Sequence, residues 1–303
     1  MISKHFIVAA LLMLTAGAAE AQSVTPVCEA LATRIAQSPA NLEGRILNEA
    51  LFEAAALDCP ETATMLLEKG ASVDARNRFG GTPLNAAAAR GAIEIVTMLL
   101  ERGAVLDHPN LGGTTPLLAA VEEGRRRMVT HLIGVGSNVN AVNREGVTPI
   151  MAAAFEGDRR VLAVLLEAGG DPNVEDRHGK GALVYAAGRA FPGVVEDLLK
   201  AGADANKVWG RDLTALMWAA GHANDAPAAD GLAVARLLVD SGAGIDQVDD
   251  RGRTALMIAA ERGHRQMVEF LLTAGADAGI ADKEGLTAQD LASSDQIRAL
   301  LGP

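Results

Sequence analysis

Residues 143–175, NREGVTPIMAAAFEGDRRVLAVLLEAGGDPNVE, contain the pattern that decides the fold. The Thr148 hydroxyl is suited to capping a helix, and Pro149 fits the first helical position because its missing N–H would have no partner there. Alanines and then Gly157 follow, which indicates a short helix that ends at the glycine. The aliphatic residues of 161–166 have the spacing of one apolar helix face. The stretch therefore predicts two short helices, preceded by a turn of the form Asn-x-x-Gly.

The same pattern recurs with a period of 33 residues along most of the chain. The position of Thr148 recurs at Thr82, Thr115, Gly181, Thr214, Thr254 and Thr287, and one of these intervals is 40 rather than 33. The glycines that close each unit keep the same spacing, at Gly70, Gly103, Gly136, Gly169, Gly202, Gly242 and Gly275. A fixed period held over so many copies indicates a repeat protein, in which each unit packs on its neighbours.

In these motifs the chain resembles ankyrin repeats. Thr-Pro-Leu at 82–84, Ala-Ala at 86–87, Leu-Leu at 99–100 and Gly-Ala at 103–104 occur together within one repeat. The resemblance implies an all-α solenoid over residues 47–303, with two antiparallel helices and a β-turn or hairpin finger in each repeat. We expect seven repeats and a short C-terminal capping repeat, preceded by an N-terminal capping helix within residues 22–46.

Residues 1–21 have the features of a secretory signal peptide. Lys4 precedes an apolar run over residues 6–14, and Ala19-Glu20-Ala21 has the small-x-small pattern of a cleavage site. The alternative is an uncleaved membrane anchor, but this run is far shorter than the roughly 20 residues that span a bilayer. We expect cleavage after Ala21, export to the periplasm or beyond it, and no membrane span.

The chain has only two cysteines, Cys28 and Cys59. In an oxidising compartment two thiols are expected to pair, and here the disulfide would fasten the capping helix to the first repeat. A redox pair and half of a metal site are the alternatives. The first usually has the Cys-x-x-Cys spacing and the second needs further ligands.

Composition and motifs exclude several classes of function. A net charge of −11 argues against non-specific nucleic-acid binding, which needs a positive surface. The histidines are dispersed without metal-ligand spacing, and no phosphate-binding loop or nucleophile elbow is present. We expect no catalytic residues, no metal and no cofactor.

Departures from the repeat pattern are concentrated in the fifth and sixth repeats. The fifth has Gly181-Ala182 in place of Thr-Pro, and Pro192 stands where its second helix should begin. The sixth has Trp209 in place of the turn Asp or Asn, and it carries seven extra residues within 221–231. This insertion is either a partner-contacting loop or a tolerated surface insertion.

The resemblance implies that partners bind the finger tips and the first-helix face that line the concavity. The positions that correspond in this sequence are Arg78, Phe79, Arg144, Phe155, His178, Trp209, Arg211, His222, Arg251 and Arg253. Because interfaces concentrate binding energy in Trp, Tyr and Arg, Trp209 and Arg211 are the preferred anchors, with Phe79 and Phe155. Tyr185 and Trp218 are expected to be core residues.

The leading hypothesis is a non-enzymatic, monomeric protein–protein interaction scaffold in a bacterial periplasm. One variant of this hypothesis is a chaperone-like partner of an envelope protein. An immunity or inhibitor protein whose acidic face binds a basic toxin or enzyme is one alternative, and a host-directed secreted effector is another.

Overall fold

The computed structural model describes residues 20–37, 44–221 and 227–302, which belong to two compact units divided after Leu106. The first unit contains α1 (Glu20–Ala36), α2 (Gly44–Leu57), α3 (Pro60–Glu68), α4 (Pro83–Arg90) and α5 (Ile93–Glu101). Most of the predicted signal peptide, residues 1–19, lies outside the described residues, as does His222.

The second unit contains twelve helices among its described residues. They are α6 (Pro116–Glu122), α7 (Arg126–Gly134), α8 (Pro149–Glu156), α9 (Arg159–Glu167), α10 (Ala182–Gly188), α11 (Pro192–Lys200), α12 (Ala215–Ala220), α13 (Ala228–Asp240), α14 (Ala255–Arg262), α15 (Arg265–Thr273), α16 (Ala288–Leu291) and α17 (Asp295–Leu300). The structure confirms the predicted all-α repeat architecture.

The first helix of each repeat begins as the sequence predicts. The Thr148 hydroxyl accepts a hydrogen bond from the Met151 amide at 3.2 Å, and Pro149 occupies the first turn. Gly157 ends α8 in the left-handed conformation, with φ of 73°. At Gly181 no side chain is available to cap α10, so this helix depends on packing for its start. Pro192 begins α11, which is compatible with a helix at its first position.

Within each unit, like helices pack on like helices. In the second unit the first helices of successive repeats, α6, α8, α10, α12, α14 and α16, pack in one row. The second helices, α7, α9, α11, α13, α15 and α17, pack in another. In the first unit α2 packs on α4, and α3 packs on α5. We call α6, α8, α10, α12, α14 and α16 the inner helices of the second unit, because the fingers lie at their starts.

The fingers of the second unit are joined by backbone hydrogen bonds. The Arg177 amide donates to the Glu145 carbonyl at 2.8 Å, and the Asp250 amide donates to the Arg211 carbonyl at 3.0 Å. Gly146 is required at such a contact, because a Cβ there would lie 2.9 Å from the Asp176 Cα. Successive fingers are therefore fixed in register, and so are the helices that follow them.

The extra residues of the sixth repeat lengthen its second helix. Helix α13 has 13 residues, whereas α11 has nine. Residues 228–231 of the insertion are thus helical. Residues 222–226 lie outside the described residues.

Helix α1 covers the first repeat and is attached to it by a disulfide. Cys28 of α1 is bonded to Cys59, whose side chain is fully buried before α3. Leu31 and Ile35 of α1 are buried, and Arg34 forms an ion pair with Glu53 of α2. The pairing predicted from the two cysteines is confirmed. A terminal repeat lacks one neighbour, and α1 supplies the missing apolar contacts.

We predict that Cys28→Ser destabilises the first unit. The disulfide closes a separation of 31 residues, for which loop-closure entropy gives about 3–4 kcal/mol. The measurement is urea unfolding followed by circular dichroism, with and without reductant. The wild type should lose stability in reductant, and Cys28→Ser should match the reduced wild type. Equal stability of all three samples would remove the stapling role.

Two departures from the repeat pattern compensate for each other. Trp209 is 3% exposed, and a Cβ at position 181 would lie 2.1 Å from its Cη2 atom. The indole therefore occupies the space in which other repeats place the capping threonine. Trp209 also pairs through its backbone with Leu213, at 2.9 Å in both directions, which closes a finger that lacks the turn Asp or Asn.

We predict that Gly181→Ala destabilises the second unit by about 1–3 kcal/mol, because overpacking forces the Trp209 ring out of place. In a Trp209→Leu background the same substitution should cost much less. Thermal unfolding of the four proteins gives the coupling energy. The matched control is Gly134→Ala, since a Cβ there meets no atom within 4 Å. An equal loss of stability on Gly181→Ala in both backgrounds would contradict the packing of Trp209 against Gly181.

Candidate functional site

A stripe of aromatic side chains that are exposed or partly exposed crosses three inner helices of the second unit. Phe155 of α8 meets Tyr185 of α10 edge to face, with ring centroids 5.8 Å apart and planes at 88°. Trp218 of α12 lies against α10 at Gly188, where a Cβ would be 3.2 Å from the indole Cε3. We call Phe155, Tyr185 and Trp218 the aromatic stripe.

The stripe follows from the register of the inner helices. Tyr185 and Trp218 both stand four residues after the cap position, where the neighbouring repeats carry Ala119 and Ala152. This position contacts the seventh residue after the cap position of the preceding repeat. That residue is Phe155 opposite Tyr185, and it is Gly188 opposite Trp218. The small glycine therefore makes room for the larger indole.

Two cations lie over the stripe. The Lys180 Nζ is 4.7 Å from the centroid of a Trp218 ring and 5.9 Å from that of Tyr185. The Arg189 guanidinium is 4.6 Å from the centroid of Phe155 and 5.5 Å from that of Phe191. Each such contact is worth about 0.5–1 kcal/mol at an exposed site. The result is a surface that offers flat rings and positive charge together.

Tyr185 links the stripe to the finger of its own repeat. Its hydroxyl donates to one carboxylate oxygen of the buried Asp176. The other oxygen accepts the His178 amide at 2.8 Å and the Lys180 amide at 2.9 Å. Burial, followed by the hydrogen bond and negative charge of Asp176, raises the pKa of Tyr185 above its usual value. The finger and the stripe therefore hold each other in place.

Four predicted residues are exposed on the fingers of the second unit: Arg144, His178, Arg211 and Arg251. His178 Nε2 lies 3.8 Å from a carboxylate oxygen of Glu145, and Arg251 pairs with Asp249 at 2.9 Å. These side chains follow the backbone-linked fingers in order. The structure thus places them on one edge of the unit, beside the aromatic stripe.

The expected exposure or burial of four residues is wrong. Trp209 is buried against Gly181, so its ring packs the finger instead of standing exposed as expected. The Arg253 side chain is only 12% exposed, because it bridges Glu261 at 3.0 Å and Asp282 at 3.3 Å. Tyr185 and Trp218 are half-buried on the inner face rather than in the core. The sequence did contain a signal for the partial exposure of Tyr185 and Trp218, namely a large aromatic residue at a position where neighbouring repeats have alanine.

Arg78 and Phe79 lie in the first unit and form a separate group. Phe79 is 58% exposed, and the Arg78 guanidinium is 4.7 Å from the centroid of its ring. Both residues line a groove of about 550 Å³ with Arg45, Phe52 and Arg76.

An acidic group occupies the inner helices ahead of the stripe. Glu122 and Glu123 end α6, and Glu156 ends α8. Desolvation of its carboxyl group and then the charges of Glu123 and Glu156 raise the pKa of Glu122 to about 7. By surface area Glu122 is exposed, so solvent screening reduces the effect of this shift on stability.

Among the described residues, no cluster of three or more His, Cys, Asp or Glu side chains has the arrangement of a metal site. In the same residues, no helix has the length and apolar character needed to cross a membrane.

Comparison with known proteins identifies the family. A family model described as ankyrin repeats in three copies matches residues 17–110, 51–143, 117–208, 150–229, 183–282 and 226–301. The fold defines a helical repeat protein in which inner helices and fingers carry the aromatic stripe. The chain belongs to the ankyrin-repeat family, as its motifs predict.

Individual relatives are similar over short segments. The human ankyrin repeat domain-containing protein 63 is 46% identical over 50 residues, which is 16% of this chain and 13% of that protein. The mouse ankyrin repeat and SAM domain-containing protein 6 is 43% identical over 61 residues, 20% of this chain and 7% of the relative. The Arabidopsis thaliana protein LHCP TRANSLOCATION DEFECT is 50% identical over 46 residues, 15% and 26% respectively. The matches thus span about a quarter or less of each relative. They show that the repeat motif is shared and say nothing about a shared function.

We predict that Glu122→Gln stabilises the second unit at pH 8 by about 1 kcal/mol, after allowance for solvent screening. The raised pKa means that the folded state holds a proton between about pH 4.5 and pH 7 that the unfolded chain releases. Wild-type stability should therefore fall as the pH rises through this window and then level off.

Thermal unfolding at pH 5, 6, 7 and 8 measures this dependence. Glu122→Gln should flatten the profile, whereas Glu284→Gln, at an exposed finger position, should leave it unchanged. A profile that keeps its slope in Glu122→Gln would show that Glu122 retains an ordinary pKa.

Proposed function

We propose that this protein is a non-enzymatic protein–protein interaction scaffold exported to a bacterial periplasm. In this proposal it binds a segment of a partner protein across the inner helices and fingers of the second unit. The observation that carries the proposal is the aromatic stripe, in which three rings stay partly exposed beside Lys180 and Arg189.

The chemistry of the stripe suits protein recognition. Aromatic side chains and arginine are the residues in which interfaces concentrate their binding energy. Here they stand on short helices, of which α8 and α12 have capped starts, and the fingers are joined through the backbone. Such a surface loses little conformational entropy when a partner binds, so its apolar contacts are available for affinity.

Two features support export. The pattern of residues 1–21 is that of a cleavable signal peptide. The chain's two cysteines are joined in a disulfide, and this bond persists in oxidising compartments rather than in the cytosol.

Among specific roles we favour a chaperone-like partner of an envelope protein. The acidic group of Glu122, Glu123 and Glu156 favours one second candidate, an immunity or inhibitor protein that masks a basic target. Desolvation and then the charges of Glu123 and Glu156 raise the pKa of Glu122, so this group would gain from a cationic partner.

The test is capture of the partner from cells. The protein, tagged at its C terminus, is crosslinked in cells, recovered from the envelope fraction and analysed by mass spectrometry and N-terminal sequencing. We expect an N terminus at Gln22 and one stoichiometric partner. Phe155→Ala should weaken binding of that partner by about tenfold or more, because a partly exposed ring is lost from the stripe.

The matched control is Val135→Ala, which removes an exposed apolar side chain at the end of α7, outside the stripe. It should bind as the wild type does. Equal binding by Phe155→Ala would exclude the stripe as the interface. Recovery of the chain with Met1 intact in the cytosolic fraction would overturn the export proposal.

A further inference from the structure

The departures from the repeat pattern in the fifth and sixth repeats meet in one place. Trp209 replaces the turn residue, and Gly181 replaces the threonine that would collide with it. Trp218 replaces a small inner-helix residue, and Gly188 lies under its ring. In the ordinary pattern, an Asp or Asn at position 209 would form the turn, and a Thr at position 181 would cap the helix. The other repeats fold without these four substitutions. Because the four residues lie together, we ask whether they form a site.

These residues surround a pocket in the second unit. It has a volume of about 240 Å³ and is lined by His178, Lys180, Trp209, Arg211, Leu213 and Trp218. The volume lies below the range of about 300–1,000 Å³ that is usual for drug-sized ligands. A single side chain or a very small molecule matches this size.

The pocket carries uncompensated positive charge. Among the described residues, Lys180 and Arg211 have no carboxylate within ion-pair distance, and Lys180 is instead held over aromatic rings. Three carboxylates of these fingers are already engaged. Glu175 pairs with Lys207 at 3.1 Å, Glu145 faces His178, and Asp176 accepts the Tyr185 hydroxyl.

Two hydrogen-bond donors beside these cations also lack acceptors. The indole Nε1 groups of Trp209 and Trp218 are buried and have no hydrogen-bond partner among the described residues. A buried donor without an acceptor costs about 1–3 kcal/mol, so an oxygen brought by a ligand would recover that energy. Both N–H groups are shielded from solvent. Lys180 lies over the Trp218 ring and Lys207 over the Trp209 ring, so a ligand that reaches the N–H groups must move side chains around them.

We propose that this pocket is a binding site for a carboxylate group. Lys180 and Arg211 supply the positive charge, and the indole N–H groups supply donors to the carboxylate oxygens. The carboxylate comes either from an acidic side chain of a partner protein or from a free small acid. The first source rests on the proposed function, because the pocket adjoins the aromatic stripe, whereas the pocket itself does not depend on it.

Tryptophan fluorescence tests the site directly, because the chain's two tryptophans both line the pocket. The purified protein is titrated at constant ionic strength with a capped tripeptide that has glutamate at its centre. The matched probe has glutamine at that position, and sodium succinate represents a free small acid. We expect a saturable change in emission with carboxylates and at least about tenfold weaker binding of the glutamine peptide.

Variants separate the charge from the donors. Lys180→Met and Arg211→Gln should each weaken carboxylate binding by about tenfold, and Trp218→Phe should weaken it while keeping the ring. Arg236→Met is the matched control, since it removes a cation 4.8 Å from the centroid of the Phe270 ring, outside the pocket. Circular dichroism of each variant verifies folding, and Arg211→Gln alters only an exposed finger residue.

Each outcome is decisive for the pocket. Saturation by the glutamate peptide but not by succinate assigns the acidic side chain as the source, and the reverse assigns the free acid. The proposal is overturned if no carboxylate gives a saturable change, or if the glutamine peptide or Arg211→Gln protein binds equally well. The captured partner could instead lose binding in Phe155→Ala and bind Lys180→Met as tightly as the wild type. That result would support the proposed function and would show that the pocket does not bind an acidic side chain of the partner.

Discussion

The backbone hydrogen bonds between successive fingers are the constraint on which the second unit depends. The Arg177 amide reaches the Glu145 carbonyl, and the Asp250 amide reaches the Arg211 carbonyl, each within about 3 Å. Every residue except proline supplies the same main-chain donor, so these bonds fix the spacing of the repeats largely independently of the side chains. The glycines at the finger tips are needed because the next backbone approaches so closely. Side chains then have to fit a spacing that is already set.

The aromatic stripe is a consequence of that spacing. With the inner helices held in register, the fourth residue after one cap position always meets the seventh residue of the preceding repeat. Where both are small, the helices simply pack. Where Phe155 meets Tyr185, or Trp218 meets Gly188, the pair contains more side chain than the interface can bury. The surplus remains at the surface, and Lys180 and Arg189 cover part of it.

The finger of the sixth repeat is closed differently from the others. In most fingers an Asp or Asn side chain accepts two backbone amides, as Asn143 does at 2.9 Å from both Glu145 and Val147. The sixth repeat lacks that acceptor and closes its finger through Trp209 and Leu213. Arg211 and Asp212 then adopt positive φ values of 61° and 58°, which cost energy in residues other than glycine. The finger is thus strained where it presents Arg211, and the packed indole sustains that strain.

By itself the sequence determined the repeat, its period, the caps that begin and end the helices, and the pairing of Cys28 with Cys59. Each of these follows from a local rule or from counting along the chain: a threonine caps the helix that follows it, and two cysteines in an oxidising compartment pair. The exposure of individual side chains was decided only by the tertiary structure. Trp209 is buried because position 181, 28 residues away, has no side chain. Arg253 is covered because two carboxylates from other turns of the chain reach it, while Trp218 stays partly exposed because its neighbour helix offers only the small Gly188. Apart from the Arg253–Glu261 pair, whose members are eight residues apart, these contacts join residues about one repeat apart. No local pattern specifies them, and they appear only when the repeats are stacked.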